Sequence, residues 1–368
     1  MMRAMAFYGG IDLGGTKIQT VVVDDGNTAL GSARRPTPTN GGPEDVAAAM
    51  ALALRDAATA AKVDPAALAG VGVGSPGTIE NGNVTSARNL PGWEGTFALA
   101  ASLQTALGPK VRVGNDVQVA TDAELKLGAG QPYRSLLGVF WGTGVGGGVI
   151  LDGKPWTGRG GAGEIGHMVV EIDGARCTCG RRGCMEAYAG RGSMEAYARK
   201  LHEDKGRKTD LFKLMHKHER ERLTSGIWAR ALEHEDKLAT QIVDRAVRAL
   251  GAGIASAVNL LDVEAVIIGG GLGVRLGHPY AQRIAEAMQP HLFADTRPPG
   301  VHVAALGDLG GAIGAALLVE SDGAAPAKPA PAKRKTAAKR ASGKTAAKRT
   351  SATKRAPARA WSPKNPQG

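Results

Sequence analysis

The stretch FYGGIDLGGTKIQTVVVDD, residues 7–25, predicts a β-strand, a glycine turn and a second strand. In the turn, Gly14 and Gly15 let backbone N–H groups approach an anion closely, and the hydroxyl of Thr16 adds a donor. Asp12 precedes the turn, where its carboxylate could hold a phosphate-bound magnesium ion through water. Because the same residues also fit an ordinary tight turn, the stretch indicates a hairpin and leaves phosphate binding open.

The same pattern recurs in LLGVFWGTGVGGGVILDG, residues 136–153. Its GTGVGGG segment (142–148) contains GxGxxG, but a strand follows it, so the helix N-terminus that would hold a dinucleotide pyrophosphate is missing. Two such hairpins predict a duplicated architecture, with one unit opening each lobe. IIGGGLG, residues 267–273, predicts a third glycine turn, against which a flat ring or a ribose could lie. Strands and helices alternate along the chain, which predicts an α/β fold.

VRVGNDVQVA, residues 111–120, has Asn115 and Asp116 at the end of a predicted strand, just before a helix. A carboxylate there could take a proton from a hydroxyl group that the neighbouring amide holds in position. Asn and Asp are also preferred N-cap residues, and in isolation capping is the more ordinary explanation. These residues alone leave both interpretations open.

CTCGRRGC, residues 177–184, holds all three cysteines of the chain. GEIGHMVVE, residues 163–171, supplies a histidine that is the natural fourth ligand of a metal. A Cys₃His set is a closed tetrahedral zinc site, the kind that is structural. The two segments also carry Glu164 and Glu186, which could present fixed acceptors to a polyol. The predicted zinc ligands are His167, Cys177, Cys179 and Cys184.

The net charge of +12 belongs to the end of the chain. Residues 321–368 contain thirteen Lys or Arg and one acid, Asp322, whereas the charges of residues 1–320 balance. The segment is rich in Ala, Lys and Pro and repeats TAAKR (336–340 and 345–349), so we expect disorder. Such a tail is expected to bind nucleic acid or another polyanion weakly, without reading sequence and in a salt-dependent way. The alternative is a solubilising or merely tolerated extension.

Hydrophobic residues make up 43% of the chain, yet no run of about 18 apolar residues occurs, which argues against a membrane-spanning helix. The N-terminus, MMRAMAFYGG, lacks the apolar stretch and the cleavage site of a signal peptide. We therefore expect a cytoplasmic protein with reduced thiols, which favours metal-binding cysteines over disulfides.

Together these segments resemble the ROK family of sugar kinases and repressors, within the actin-like, hexokinase-like ATPase superfamily. DLGGTK resembles its first phosphate motif, GTGVGGGVILDGK the second, and VGNDVQVA the catalytic segment. GVGVGSPGTIENG (70–82) is similar to its sugar-side loop and VIIGGGLG to its nucleotide-side motif. GEIGH with CTCGRRGC is similar to its zinc signature. The resemblance runs in order from about residue 7 to residue 320.

The resemblance implies an α/β, two-lobed, actin-like and hexokinase-like ATPase fold with a ribonuclease H-like duplicated core. Residues 1–116 would form a small N-terminal lobe, completed by a helix near 309–320. Residues 117–308 would form a large lobe with the zinc loop and the nucleotide-side motif. Residues 321–368 would be the disordered Ala/Lys/Pro-rich basic tail.

The resemblance also implies the roles of individual residues. Asp116 becomes the general base that acts on the 6-hydroxyl of a sugar, which replaces the capping interpretation. The implied substrate contacts are Asn115, Glu164, His167, Glu186 and Gly77. The implied contacts of ATP and Mg²⁺ are Asp12, Gly14, Gly15, Thr16, Thr143, Gly144, Gly270 and Gly271. The implied ligands of a structural Zn²⁺ are His167 and the three cysteines.

The expected reaction is ATP-dependent phosphorylation of a hexose in carbohydrate metabolism, with glycolysis as the setting. The NLPGWEG stretch (89–95) resembles glucokinase-type members, so glucose is the first choice. Fructose, N-acetylglucosamine, N-acetylmannosamine, mannose and allose remain alternatives, as does polyphosphate as donor. A sugar-sensing regulator acting through the basic tail is the other alternative, although residues 1–11 leave no room for the DNA-binding domain of ROK repressors. The resemblance implies a homodimer or a tetramer.

Overall fold

The computed structural model describes residues 5–87 and 90–320 of the chain, and every structural statement below refers to those ranges. The basic segment 321–368, predicted to be a disordered tail, lies outside them. Among the described residues, no helix combines the length and the apolar character needed to cross a membrane.

The first half of the chain folds around a sheet of five strands that opens with the first glycine hairpin. Its first helix, α1, begins at Pro43, and the Asp45 carboxylate accepts the N–H of Gly42 at 2.9 Å. This is one half of a capping box, because Gly42 has no side chain to accept a hydrogen bond in return. The elements are β1 (Phe7–Leu13), β2 (Lys17–Asp24), β3 (Ala29–Pro36), α1 (Pro43–Ala61), β4 (Gly70–Ser75), β5 (Thr78–Glu80), β6 (Asn83–Thr85), β7 (Thr96–Phe97), α2 (Leu99–Leu107), β8 (Val111–Asn115) and α3 (Asp116–Leu127).

The second half folds around another five-stranded sheet and a larger set of helices. Its longest helix, α8, is capped by Asp236, whose carboxylate accepts the N–H of Ala239 at 2.8 Å. The elements are β9 (Leu136–Trp141), β10 (Val145–Leu151), β11 (Lys154–Pro155), α4 (Glu186–Ala189), α5 (Arg191–Glu203), α6 (Leu211–Lys217), α7 (Ser225–Glu233), α8 (Lys237–Leu261), β12 (Ala265–Gly269), α9 (Gly270–Met288), β13 (Gly300–Val303) and α10 (Gly310–Glu320).

The two sheets have the same plan. The first has the order β3-β2-β1-β4-β8 and the second has the order β11-β10-β9-β12-β13. In each, the opening strand is antiparallel to the next strand and parallel to a later one. A separate three-stranded sheet, β5-β6-β7, is inserted in the chain between β4 and β8 of the first sheet. The repeated order confirms the predicted α/β fold with a duplicated core.

Helix α10 packs across β1 and β4 of the first sheet. A Cβ atom on Gly10 would run into the carbonyl of Ala312, and one on Gly72 into that of Ala315. Glycine at both positions therefore lets helix and sheet backbones touch. This packing agrees with the predicted helix near 309–320, while the lobe boundaries at 116 and 308 stay predictions.

The third glycine segment differs from the predicted turn. Strand β12 ends at Gly269 and helix α9 begins directly at Gly270, so the chain passes from strand to helix without a turn between them. Gly270 has φ +77°, a conformation that favours glycine and that turns the chain at the junction. Helix α9 is itself interrupted at Gly277, where φ is +67°. Consecutive glycines predicted a loop because they are poor helix formers, but buried Leu272 anchors this helix start in the core.

Candidate active site

The first hairpin lies between β1 and β2 as predicted, with Gly14, Gly15 and Thr16 at its tip. The N–H of Gly14 donates to the carbonyl of Lys17 at 2.9 Å, which closes the turn. Asp12 is half-buried in β1, and Gly311 of α10 lies against its carboxylate. Burial raises the pKa of Asp12 to about 6, and the charge of Lys17 opposes this shift only in part.

The second hairpin lies between β9 and β10, with Gly142, Thr143 and Gly144 at its tip. The remaining glycines of GTGVGGG, at 146–148, allow other segments to pack closely against β10. A Cβ on Gly146 would come within 2.7 Å of Val117, and one on Gly148 would overlap Thr121, so helix α3 lies directly on β10. The GxGxxG glycines have other roles, since Gly142 and Gly144 lie at the tip and a Cβ on Gly147 would meet the carbonyl of Gly163. Strand β10 follows the pattern, as predicted.

The structure separates the roles of Asn115 and Asp116, for which the sequence left helix capping and general-base catalysis open. The side-chain oxygen of Asn115 accepts the N–H of Gln118 at 3.1 Å, so Asn115 caps helix α3. Asp116 is the first residue of the helix, and its Oδ1 accepts the N–H of Val117 at 2.9 Å. Capping thus accounts for Asn115, whereas the cap position leaves the Asp116 carboxylate available for another role.

The pKa of the Asp116 carboxyl is raised more strongly than that of Asp12. Burial raises it to about 7, and the charges of Asp12 and Glu164 add to the increase. Asp116 nevertheless keeps part of its surface exposed. Asp12 of β1 and Glu164 of the segment after β11 therefore act electrostatically on Asp116 of α3.

Gln118 holds the start of α3 against the second sheet. Its side-chain amide donates to the carbonyl of Val149 at 3.2 Å and accepts the N–H of the same residue at 3.0 Å. A paired bond of this kind to a strand interior fixes the helix at one register. The orientation of Asp116, two residues earlier, is fixed with it.

The segment 163–167 lies along β10. Gly163 has φ +89°, and a Cβ on Gly166 would meet the carbonyl of Val145. The short turn places Glu164 at the surface and His167 half-buried, with Nε2 of the histidine 3.9 Å from a carboxylate oxygen of Glu164. The other ring nitrogen, Nδ1, faces the cysteines at 3.9 Å from the sulfur of Cys177.

The predicted metal ligands form one cluster, in which all four donor atoms lie within 4.8 Å of one another. The sulfurs of Cys179 and Cys184 are 3.7 Å apart. Glycines at 180 and 183, with φ +92° and +77°, turn the backbone around the cluster. The donors come from a single short loop and from His167. The chemistry and the spacing of this set suit a small tetrahedral cation.

Glu186 connects the cysteine cluster to the second hairpin. Its Oε2 accepts the N–H of Val145 at 2.9 Å and lies where a Cβ on Gly144 would stand. Its Oε1 lies 3.7 Å from the sulfur of Cys177 and accepts the hydroxyl of Thr178 at 3.3 Å. The residue predicted to contact a sugar is therefore also a bridge between two parts of the site.

Sequence reasoning missed Arg191, which borders the same hairpin. Its guanidinium donates to the hydroxyl of Thr143 and to that of Ser225, both at 2.9 Å. Gly271 lies beside this group, since a Cβ there would be 3.5 Å from the Ser225 oxygen. The available signal was an arginine flanked by glycines at the start of a helix.

Gly77 is the predicted residue that lies furthest from these contacts. It has φ +93° in the loop after β4, against the backbone of Thr85 and Ala87. Ser75, just before it, pairs with Asn115 across β4 and β8. Gly77 therefore shapes a loop that leads away from the end of the strand beside the Asp116 helix.

Comparison with known proteins gives one consistent picture. The ROK family pattern matches residues 8–322. The glucokinase of Thermotoga maritima is 33% identical over 287 residues, which cover 76% of this chain and 88% of that protein. An N-acetyl-D-glucosamine kinase of Escherichia coli is 31% identical over 329 residues, 86% of this chain and 100% of that protein. The crystal structure of a ROK family glucokinase from Streptomyces griseus in complex with glucose and AMPPNP superposes with a TM-score of 0.73 at 30% identity, covering 86% of this chain and 99% of that one.

Proposed function

Since the chain belongs to the ROK family and is a sugar kinase, we propose that it transfers the γ-phosphoryl group of ATP to the 6-hydroxyl of glucose. The observation that carries the proposal is the Asp116 carboxyl, which is partly exposed, fixed at a helix start and raised in pKa to about 7. A base with a pKa near the working pH is deprotonated often enough to act and basic enough to take a proton. Asp116 would accept the proton of the sugar hydroxyl as its oxygen attacks phosphorus.

The two hairpins would hold the phosphate chain. Phosphoryl transfer has a loose transition state, so alignment and charge neutralisation supply most of the rate. Backbone N–H groups at Gly14, Gly15 and Gly144, with the hydroxyls of Thr16 and Thr143, are suited to phosphate oxygens. The start of α9, at Gly270 and Gly271, would face the nucleoside.

Asp12 fits a magnesium ion. Burial raises its pKa to about 6 despite the neighbouring Lys17, so its negative charge carries a desolvation cost that a divalent cation would offset. When bound with ATP, Mg²⁺ would neutralise charge on the phosphate oxygens.

The cysteine cluster fits zinc. Tetrahedral Zn–S bonds of about 2.3 Å separate sulfurs by roughly 3.8 Å, and the sulfurs of Cys179 and Cys184 are 3.7 Å apart. His167 would bind through Nδ1, which faces Cys177, and would present Nε2 toward the sugar beside Glu164. Zinc would stabilise the loop and the orientation of His167, with no part in the chemical step.

The sugar would lie against Glu164, His167 and Glu186, with the free amide nitrogen of Asn115 beside the base. Glucose is proposed from the NLPGWEG stretch. A glucokinase and an N-acetyl-D-glucosamine kinase are similar to this chain at nearly equal identity, so family membership alone supports a sugar kinase without naming the sugar.

The test is a coupled assay of purified full-length protein with ATP and Mg²⁺ across glucose, fructose, mannose, N-acetylglucosamine and N-acetylmannosamine. We expect turnover with glucose, and a fall in kcat of about 10²- to 10⁴-fold in Asp116→Asn, the range for loss of a general base. Asp152→Asn, in an exposed turn of the second sheet, is the matched control and should keep full activity.

Preference for another of these sugars would correct the substrate and leave the base assignment standing. Unchanged kcat in Asp116→Asn would overturn the assignment of the base. Zinc-loaded protein without activity on any sugar would favour a sugar-sensing regulator or a different phosphoryl donor.

A further inference from the structure

Arg191 ties three elements of the nucleotide side together. Its backbone N–H donates to the carbonyl of Gly142 at 3.1 Å, which attaches the start of α5 to the second hairpin. Its Nη2 donates to the hydroxyl of Thr143 and its Nη1 to that of Ser225, at the start of α7. The guanidinium therefore has a fixed position between the hairpin tip and the start of α9, where Gly271 lies beside Ser225.

The charge of this guanidinium is not balanced by a neighbouring acid. Both of its side-chain partners are neutral hydroxyls, and no carboxylate among the described residues lies within ion-pair distance of it. The nearest acid that acts on it, Glu195, is already committed, since one oxygen accepts from Arg199 and the other from Arg222 and from the N–H of Leu223. Burial and the charge of Arg222 lower the pKa of Arg191.

A partly buried cation without a paired counterion carries a desolvation cost, which a bound anion would offset. Arginine stays protonated at any physiological pH. Its guanidinium has five N–H donors, of which the two hydroxyls take two, so donors remain for phosphate oxygens. The Nη2 end, toward Thr143, is at the exposed side of the group, where a ligand can reach it.

We propose that Arg191 binds the phosphate chain of the nucleotide, alongside the second hairpin. This rests on the proposed kinase function and adds a residue to it. The competing explanation is a purely structural brace, in which the guanidinium only ties Thr143 to Ser225. The two explanations differ in what they predict for nucleotides with and without phosphates.

The test is calorimetric binding of adenosine, ADP and ATP, with Mg²⁺ present, to the full-length protein without sugar. For Arg191→Met we expect ADP and ATP to bind about 10- to 100-fold more weakly, the range for loss of a charged hydrogen bond, with adenosine unchanged. Arg191→Lys keeps the charge but loses the planar guanidinium, so its affinity for ADP and ATP should lie between those of the native chain and of Arg191→Met. Arg248→Met, on the exposed face of α8, is the matched control.

Ser225→Ala removes a tether that is not itself assigned to phosphate and keeps the cation, so it separates bracing from binding. The proposal expects it to weaken ADP binding less than Arg191→Met does, and an equal loss in the two variants would favour the brace. Equal losses for adenosine and ADP in Arg191→Met, or ADP binding equal to that of the native chain, would overturn the role of Arg191 alone. A native chain that binds neither ADP nor ATP would overturn the kinase proposal as well.

Discussion

The two glycine hairpins share a backbone plan but are stabilised in different ways. The first is held from within its own sheet, since the buried Thr37, just past β3, donates its hydroxyl to the carbonyl of Gly14 at 2.6 Å. The second is held by charged side chains from other elements, Glu186 of α4 and Arg191 of α5. The hydrogen bond from Thr37 to the first hairpin is local, and the residues at 308–311 also contact this hairpin through Lys17 and Asp12. The second hairpin depends instead on helices that follow the cysteine loop.

Because of this difference, the cysteine cluster influences the second hairpin as well as its own loop. Glu186 contacts Cys177 with one carboxylate oxygen and the second hairpin with the other. A disturbance of the cluster can therefore pass to the second hairpin and spare the first. Duplicated architecture has thus produced two similar turns with unequal dependence on the rest of the molecule.

Loss of the proposed zinc should produce the largest difference between the two hairpins. Cys184→Ser removes one of the four proposed zinc ligands, and we expect it to lower bound zinc below stoichiometric amounts and to abolish most kinase activity. Hydrogen exchange should rise in residues 142–148 and 174–186 and stay unchanged in residues 12–17. Zinc content by mass spectrometry and exchange by peptide are the measurements.

Arg182→Ala, in the same loop but with an exposed side chain, is the control and should keep its zinc. Equal exchange increases in both hairpins would contradict the unequal coupling. Full zinc content in Cys184→Ser would contradict the ligand assignment.

A smaller effect concerns how stability depends on pH, and one buried carboxyl near each hairpin should contribute to it. Asp12 belongs to the first hairpin, and Asp116 begins the helix that packs on the second. Burial raises their folded pKa values to about 6 and about 7, above the unfolded value of about 3.9. The folded state then binds more protons than the unfolded state, so stability falls as pH rises from about 4 through each folded pKa.

Asp12→Asn and Asp116→Asn each remove one such group. We expect both variants to melt at higher temperature than the native chain at pH 8, with the advantage absent near pH 4. The advantage should grow with pH above about 4 and level off once pH passes the folded pKa, near pH 6 for Asp12→Asn and near pH 7 for Asp116→Asn. A melting temperature in Asp116→Asn that follows the native curve at every pH would show that its carboxyl titrates normally.

The smallest effect concerns Thr37. Thr37→Val leaves the Gly14 carbonyl without its donor, which should cost about 1–2 kcal/mol in the free energy of unfolding. Because the Thr37 hydrogen bond involves neither Glu186 nor Arg191, zinc content and the exposure of residues 142–148 should not change. Urea unfolding with zinc analysis checks both statements, and Thr105→Val, on the exposed surface of α2, is the control. A loss of zinc in Thr37→Val would mean that the two hairpins are linked after all.

The features that could be predicted from the sequence are those formed by residues close together in the chain. DLGGTK and GTGVGGG were read as hairpins because two strands and their turn lie within one short stretch, and the cysteines were grouped because they are neighbours in the chain. The strand-to-helix junction at Gly270 was predicted wrongly as a turn, since its helix start depends on buried packing rather than on local propensity. Arg191 was not predicted because its position in the site depends on hydrogen bonds to Thr143 and Ser225, which lie far from it in sequence.

The contact between α10 and the first sheet bears on how the chain matures during synthesis. Gly10 and Gly72 leave bare backbone on β1 and β4 that is covered only when Ala312 and Ala315 arrive. The first sheet can therefore pair its strands early on the ribosome but stays uncovered on one face until almost the whole described chain has been made. Such long-range closure slows folding and leaves an apolar surface open to aggregation in the meantime. Nascent chains that stop before α10 should accordingly be clients of chaperones, while the second sheet and its helices are already complete.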